Sequence, residues 1–381
     1  MHASTAIEGV YLHVPFCDGK CGYCAFYSLS GRTGDIDAYL DALDLELDAH
    51  CRRRPGLAPR TIYIGGGTPT LLTARQMARL CAIPRRRLDL RRLREWTVEA
   101  NPGTLDDERL AVLKAAGVNR ISLGVQSLDD AVLARLGRRH TAAQAREACA
   151  RIHAAGFRNW SLDLIGCVPG VSPRQWTATV RAALALGPTH MSVYSLTSEE
   201  GSRLAGQMAS GDVALLDDEA QLARLHAAER ILRAAGLRRY EISNYARPGF
   251  ECRHNVSCWR GEAYLGLGCA AASFVDCARW TNAADLDAYL GAAGRGEAPP
   301  REVERLAPET QAVERVIFGL RMAEGVALPP GDSNCPTLAT HWTATFARLR
   351  RAGLARVAGG RWTLTARGRD LADYAAVELM P

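Results

Sequence analysis

The chain has 381 residues, 48% hydrophobic and 23% charged, the balance of a globular protein larger than one average domain. Its formal charge of +6 comes almost wholly from arginine, since Lys20 and Lys114 are its lysines, and runs such as Arg52 to Arg54 and Arg85 to Arg87 read as solvated surface, not as a nucleic-acid footprint. Twelve cysteines in so large a chain, without a basic leader before Phe16 and without an apolar run of the roughly 18 residues that span a bilayer, argue against a small disulfide framework and against membrane insertion, and point to the cytoplasm.

Taken in chain order, VYLHV reads as a strand and Ile36 to His50 as an amphipathic helix. TIYIGGG precedes a helix over Ala74 to Cys81, and WTVEANP precedes one over Leu105 to Ala116. RISLGVQS leads into further helices, WSLDLIG into Pro173 to Leu186, and HMSVYSL into Asp217 to Ala235. Six such repeats call for parallel strands with right-handed crossovers. The expected fold class is α/β, an incomplete (β/α)6 TIM-like barrel over residues 1–240. Gly117, Gly156 and Gly236 each stand where an Ala-rich helix should stop.

After residue 240 the pattern breaks into EISNYARPGFECRHNVSCWRGEAYLGLGCAAASF, which reads as a segment, 241–300, covering the open side of the barrel. A Pro- and Gly-containing linker follows, and from Thr310 two helical patterns precede GLARVAGGRWTLTARGRDLADY, a hairpin and closing helix. Residues 301–381 are thus expected to form an α+β module similar to a winged helix. It lacks a basic recognition helix, so nucleic acid is not an expected partner.

The chemistry concentrates in CDGKCGYC, where Cys17, Cys21 and Cys24 follow the first strand with spacing C-x3-C-x2-C. Thiolates gather iron–sulfur clusters, and three of them leave one iron of a [4Fe-4S] cube open to another ligand. A zinc knuckle or buried free cysteines would be the plainer reading, but structural zinc wants four close protein ligands and no such partner lies nearby. The remaining nine cysteines lack regular spacing and read as packed or incidental.

Polar residues sit at successive strand ends, where barrel enzymes place their chemistry. Gly65, Gly66, Gly67 and Thr68 let the backbone approach a ligand, and their N–H groups could receive an anion, although a tight turn would account for the run equally. Glu99, Gln126 and Asp163 close the next three strands, as ligand contacts or as strand-end hydrogen bonds. Arg138, in LGRRH, offers a partner for a carboxylate or a helix-end surface charge.

The cysteine motif resembles that of radical S-adenosylmethionine enzymes. YLHVPFC, GGGTPT, EANP, ISLGVQS, DLI, YEISNYA, HNxxxW and YLGLGCAAAS, in that order, are similar to the coproporphyrinogen dehydrogenase-like group and most of all to its heme chaperone branch. The resemblance spans roughly residues 10–375. It implies a [4Fe-4S] cluster on Cys17, Cys21 and Cys24, with S-adenosyl-L-methionine contacted by Tyr11, Tyr23, Gly66, Gly67, Thr68, Glu99, Gln126, Arg138 and Asp163.

It also implies heme as cargo. His254, in HNVSC where relatives have HNxxY, would be the heme-iron ligand near the barrel mouth, covered by Tyr245, Phe250 and Trp259, with Cys258 in the tyrosine's place as a second candidate. The implied partner is a heme-acceptor protein, such as a respiratory hemoprotein, with room for peripheral membrane contact. Phe26 stands where the dehydrogenase carries a further cysteine, which argues against porphyrinogen oxidation; a radical C-methyltransferase is the other alternative. DLIGCVPG departs from the relatives' DLIYGLPG at Gly166 and Cys167, leaving the substrate side open.

Overall fold

A computed structural model describes residues 6–328 and 336–381. Six strands, β1 (Gly9–Val14), β2 (Thr61–Gly66), β3 (Glu95–Ala100), β4 (Arg120–Gln126), β5 (Asn159–Gly166) and β6 (His190–Ser195), lie side by side in sequence order, every pairing parallel. Between them run α1 (Ile36–Arg53), α2 (Ala74–Arg87), α3 (Asp107–Ala116), α4 (Asp130–Arg135), α5 (Ala142–Ala154) and α6 (Pro173–Ala185); α7 (Arg203–Ala209) and α8 (Asp218–Ala234) follow the last. This is the expected partial α/β barrel, its strands filled by Val, Ile and Leu side chains that are almost wholly buried, each worth roughly 1.5–3 kcal/mol of burial.

The helices start where local chemistry dictates. Thr73, Thr141 and Ser172 accept from the backbone three residues on, and Gln76, Gln144 and Gln175 reach back, closing three capping boxes. Helix α2 runs past its expected end at Cys81, through Pro84, to Arg87. Its last turn is held by ion pairs: Arg86 and Arg87 bind Asp44, and Arg87 also binds Asp48, both on α1. Arg86 and Arg87 are therefore part of the α1–α2 contact and Arg85 donates to Ala116 O at the end of α3, which corrects the reading of the run as plain solvated surface.

The sheet continues beyond the barrel at both edges. β7 (Arg238–Arg239) and β8 (Asn244–Ala246) add antiparallel strands beside β6. On the other side, after α9 (Arg253–Trp259), β9 (Tyr264–Leu267) pairs parallel with β1 and carries β10 (Ala272–Val275) and β11 (Ala278–Asn282); α10 (Leu286–Gly294) and β12 (Arg301–Arg305) complete a twelve-stranded sheet. Buried Glu46 of α1 ties this edge down, accepting from Gly268 N, Asn282 Nδ2 and Tyr289 Oη.

The chain closes with α11 (Pro308–Arg321), α12 (Pro336–Arg351), the hairpin β13 (Ala355–Ala358) and β14 (Arg361–Leu364), α13 (Ala366–Asp370) and α14 (Ala372–Leu379). These elements bury a core of their own around Trp342, Phe346 and Leu379. The hairpin turns on Gly359 and Gly360 at φ 58° and 76°, the pair of left-handed residues that a two-residue turn needs. No helix among the described residues is long and apolar enough to cross a membrane. Cys335, read as packed or incidental, lies outside the described residues.

Candidate functional site

Beyond β1 the chain forms a loop whose first turn is pinned to its own far side: Cys17 N donates to Leu29 O at 2.9 Å and Leu29 N to Pro15 O at 2.6 Å. Gly22 anchors the middle, donating to Leu136 O and accepting from Leu204 N. These bonds present Cys17, Cys21 and Cys24, all half-buried free thiols, on the wall of a cavity of ≈ 920 Å³ that opens at the C-terminal ends of the strands and reaches into the barrel. Tyr23, Gly66, Gly67, Thr68, Glu99, Gln126, Arg138 and Asp163 line the same cavity.

Among the described residues no three His, Cys, Asp or Glu side chains converge on a single metal ion. A cube does not ask for such convergence, since it offers each thiolate its own iron and keeps the sulfurs apart. Cys17 and Cys24 have pKa values raised by burial and, further, by the neighbouring cysteines, so the thiolates that a cluster needs repel one another until positive charge joins them. Two groups already attend the sulfurs. Thr68 Oγ1 lies 3.1 Å from Cys17 Sγ, and Arg138 Nη1 donates to Cys21 Sγ at 3.4 Å. Arg138 is fixed through Nη2 on Gly124 O at 2.7 Å, while its Nε is buried without an acceptor. An orphan donor beside three thiols fits a carboxylate-bearing ligand at an open iron.

The glycine run serves a purpose other than anion binding. A Cβ on Gly65 would stand 2.7 Å from the Glu99 carboxylate, and one on Gly67 2.6 Å from Phe16 O. Gly66 N donates to Glu99 Oε2 at 3.0 Å, Gly67 N to Val14 O and Thr68 N to Phe16 O, each at 2.8 Å. These N–H groups are thus committed within the protein, which corrects their expected role as an anion cradle. Glu99 also accepts from Tyr63 Oη at 2.7 Å; burial raises its pKa to about 7 against the pull of those two bonds. Gln126 takes a left-handed φ of 66° beside a register shift between β4 and β5, a strained turn that sends its side chain into the cavity.

Asp163 receives three hydroxyls, Ser192 Oγ at 2.6 Å, Ser161 Oγ at 2.8 Å and Ser122 Oγ at 3.2 Å, although burial raises its pKa. Since the one Ser161 proton goes to Asp163, His190 Nδ1 must donate to Ser161 at 2.8 Å, leaving Nε2 to accept from Tyr240 Oη at 2.9 Å. Burial, the chief cause, and Arg120 keep His190 neutral by lowering its pKa well below the usual value. None of these partners was singled out from the sequence. Their signal was there: Ser122 faces Ser161 and Asp163 faces Ser192 across three neighbouring strands, polar residues on the inward side of otherwise apolar runs.

Tyr11 and His254 stand apart. Tyr11 pairs with Tyr63 and is bonded at 2.9 Å to Nδ1 of His13, the residue whose ring lies against Gly66. His254 is 6% exposed and sits beside the N-terminal ends of β1 and β2, the opposite end from the cysteines, which corrects its expected place near the mouth. Its Nδ1 is bonded to Thr61 Oγ1 at 2.9 Å, its ring lies 5.2 Å from that of Tyr63, and its N–H, with that of Arg253, is held by the Glu95 carboxylate. Burial first, then Arg120, lowers its pKa to about 4. Of the aromatic residues expected around it, Trp259 packs on Phe318, and the Arg239 guanidinium lies over Tyr245. Burial pushes the Cys258 thiol up to about 12, away from the thiolate that binds metal. Gly166 leaves room for the Trp176 indole, whose nearest atom would lie 3.0 Å from a Cβ there.

Comparison with known proteins places this geometry. The sequence profile of the Radical SAM superfamily matches residues 11–183. The chain is 36% identical over 368 residues to a heme chaperone HemW of Mycobacterium tuberculosis, covering 96% of this chain and 93% of that one. It is 37% identical over 319 residues to HemW of Lactococcus lactis, covering 84% and 83%. In structure it is similar to coproporphyrinogen III oxidase (HemN) of Escherichia coli, with a TM-score of 0.85 and 24% identity over 98% of this chain and 90% of that one, a likeness of fold. With its three-cysteine loop at the mouth of a six-stranded partial barrel and relatives alike over nearly their whole length, the chain belongs to the radical SAM superfamily and, within it, to the HemW family.

Proposed function

We propose that this protein is a cytoplasmic heme chaperone that binds heme and passes it to an acceptor hemoprotein. The observation that carries this reading is the end-to-end similarity to heme chaperones, at 36% identity over 93% of the Mycobacterium tuberculosis protein, together with a cavity able to hold both family cofactors. Cys17, Cys21 and Cys24 would hold the [4Fe-4S] cluster. When bound, it supplies an iron with an open coordination position and a one-electron redox couple.

The chain's own residues shape what can sit beside it. Arg138, poised between Cys21 and Gly124, would receive the carboxylate of S-adenosyl-L-methionine, and Tyr23 would close over it. With its N–H groups committed, the Gly66–Gly67–Thr68 segment would offer carbonyl oxygens to the ammonium group, with Glu99 behind it as counter-charge. Gln126 and Asp163, on the next strands, would take the polar groups of the nucleoside, and Tyr11 would support the glycine run through His13. We divide the chain by role into the barrel (1–240), the segment that covers it (241–300) and the closing module (301–381).

His254 is the candidate axial ligand, its neutral imidazole being the form that binds heme iron. The Thr61 bond occupies Nδ1 and leaves Nε2 to meet iron, but the ring is buried, so α9 must move before iron can reach it. Titration of anaerobically reconstituted protein with heme tests the reading. A stoichiometric Soret shift, with transfer of the heme to an apo-hemoprotein, is expected. Absence of saturable heme binding, or turnover of adenosylmethionine to deoxyadenosine with a defined methylated product, overturns it.

A further inference from the structure

The floor of the large cavity carries a charge that nothing in the protein neutralises by contact. Arg120, first residue of β4, is 2% exposed and lines the cavity. Among the described residues its guanidinium makes no ion pair, hydrogen bond or ring contact, and its Nε is buried without an acceptor. A buried guanidinium with five donors and no acceptor is rare, because the lost hydration is costly unless a partner restores it.

The nearest internal acid makes no contact with it. Glu95 turns its carboxylate to Arg253 N at 3.0 Å, His254 N at 3.1 Å and Cys252 Sγ at 3.5 Å, so it caps α9; against the cost of burial, Cys252 and Glu95 still raise the Arg120 pKa through space, but Glu95 gives the guanidinium no hydrogen bond. Of the other acidic groups lining the cavity, Glu99 is engaged by Tyr63 and Gly66 and Asp163 by three serines, while Asp18, Glu199 and Asp373 belong to the cysteine loop, the loop after β6 and α14. His190 is neutral, and Asn255, which also lines the cavity, is uncharged.

We propose that Arg120 anchors a carboxylate of a ligand that occupies the floor of the cavity. The inference rests on the heme-chaperone reading, which supplies the class of ligand: a tetrapyrrole bearing propionate side chains, one of which makes the charge-assisted, fork-shaped contact that a planar guanidinium favours. The alternative occupant is ordered water alone.

The test compares heme with heme dimethyl ester, in which both carboxylates are blocked, by Soret titration of the full-length reconstituted protein. Wild type should bind heme about tenfold or more tighter than the ester, the worth of one charge-assisted hydrogen-bonded pair. Arg120→Met should bind both equally, and Arg120→Lys, which keeps the charge but loses the fork, should fall between, with thermal melts showing that each variant is folded. Equal binding of heme and ester by wild type overturns the proposal while leaving the chaperone reading intact, as does a preference that survives in Arg120→Met. If wild type binds neither, both fall.

Discussion

Arg138 joins two parts of the site that are far apart in sequence: its Nη1 lies 3.4 Å from Cys21 Sγ on the loop after β1, and its Nη2 is bonded at 2.7 Å to Gly124 O within β4. One guanidinium thus fixes the cysteine loop against the barrel while its Nε stays buried without an acceptor. Arg138→Gln should weaken adenosylmethionine binding by roughly tenfold or more, the value of a charge-assisted bond, while the cluster still assembles. Equilibrium dialysis, with iron and sulfide counts on the same samples, separates the two effects; loss of iron in step with affinity would mean that Arg138 holds the cluster instead.

The cluster ligands are distinguishable from the other thiols. Cys21→Ser should abolish stoichiometric iron and sulfide after anaerobic reconstitution. Cys81→Ala and Cys149→Ala, which alter thiols packed in the barrel core, should lower the melting temperature by an amount matching about 1–2 kcal/mol and leave the cluster in place. Full iron and sulfide in Cys21→Ser would contradict the ligand assignment.

The strand order, the barrel and its cysteine loop could be read from the sequence because each rests on local patterns: β-branched runs, capping residues three apart, glycines at helix ends. What stayed hidden depends on contacts between distant strands. HNVSC reads as a loop among aromatic residues, yet Glu95, more than 150 residues earlier, draws it into the short helix α9 and buries His254 beneath Gly9 and beside Tyr63. Likewise TIYIGGG announces a close approach without saying to what; only the folded barrel shows that Glu99, His13 and the Phe16 carbonyl fill the space that side chains would need.

That close approach gives a steric prediction. Gly67→Ala places a methyl 2.6 Å from Phe16 O, so the strand end and the turn entering the cysteine loop must separate, at a cost of about 1–3 kcal/mol. Gly34→Ala, where nothing lies within 4 Å, should be neutral. Thermal melts should rank them so, and Gly67→Ala should also reconstitute a cluster less completely.

Glu99 makes stability depend on pH in a defined direction. Its pKa is about 7 in the folded protein and near the ordinary 4.5 when unfolded, so between those values the folded state binds more protons. Its contribution is favourable below about pH 4.5 and is lost as pH rises through 7, on the order of 1–3 kcal/mol across the window. Buried histidines with lowered pKa values act in the opposite sense, so the difference between wild type and Glu99→Gln is the informative quantity. In cluster-free protein the variant should gain stability relative to wild type between pH 5 and pH 8. A constant difference across that range would show that Glu99 is ionised throughout.

Heme uptake through His254 should be gated by α9. The imidazole is bonded to Thr61, lies beside Tyr63 and hangs from a helix whose first N–H groups are clamped by Glu95, so iron can reach it only after those contacts part. Stopped-flow mixing of wild type with excess heme should therefore show a rate that levels off as heme concentration rises, the plateau reporting the opening step. Thr61→Val removes the bond to Nδ1 and should raise the plateau several-fold, while His254→Ala should lose the spectrum of an imidazole-ligated iron. A rate that keeps rising linearly with heme, or a spectrum unchanged in His254→Ala, would mean that heme binds elsewhere on the protein and that His254 is part of the barrel floor.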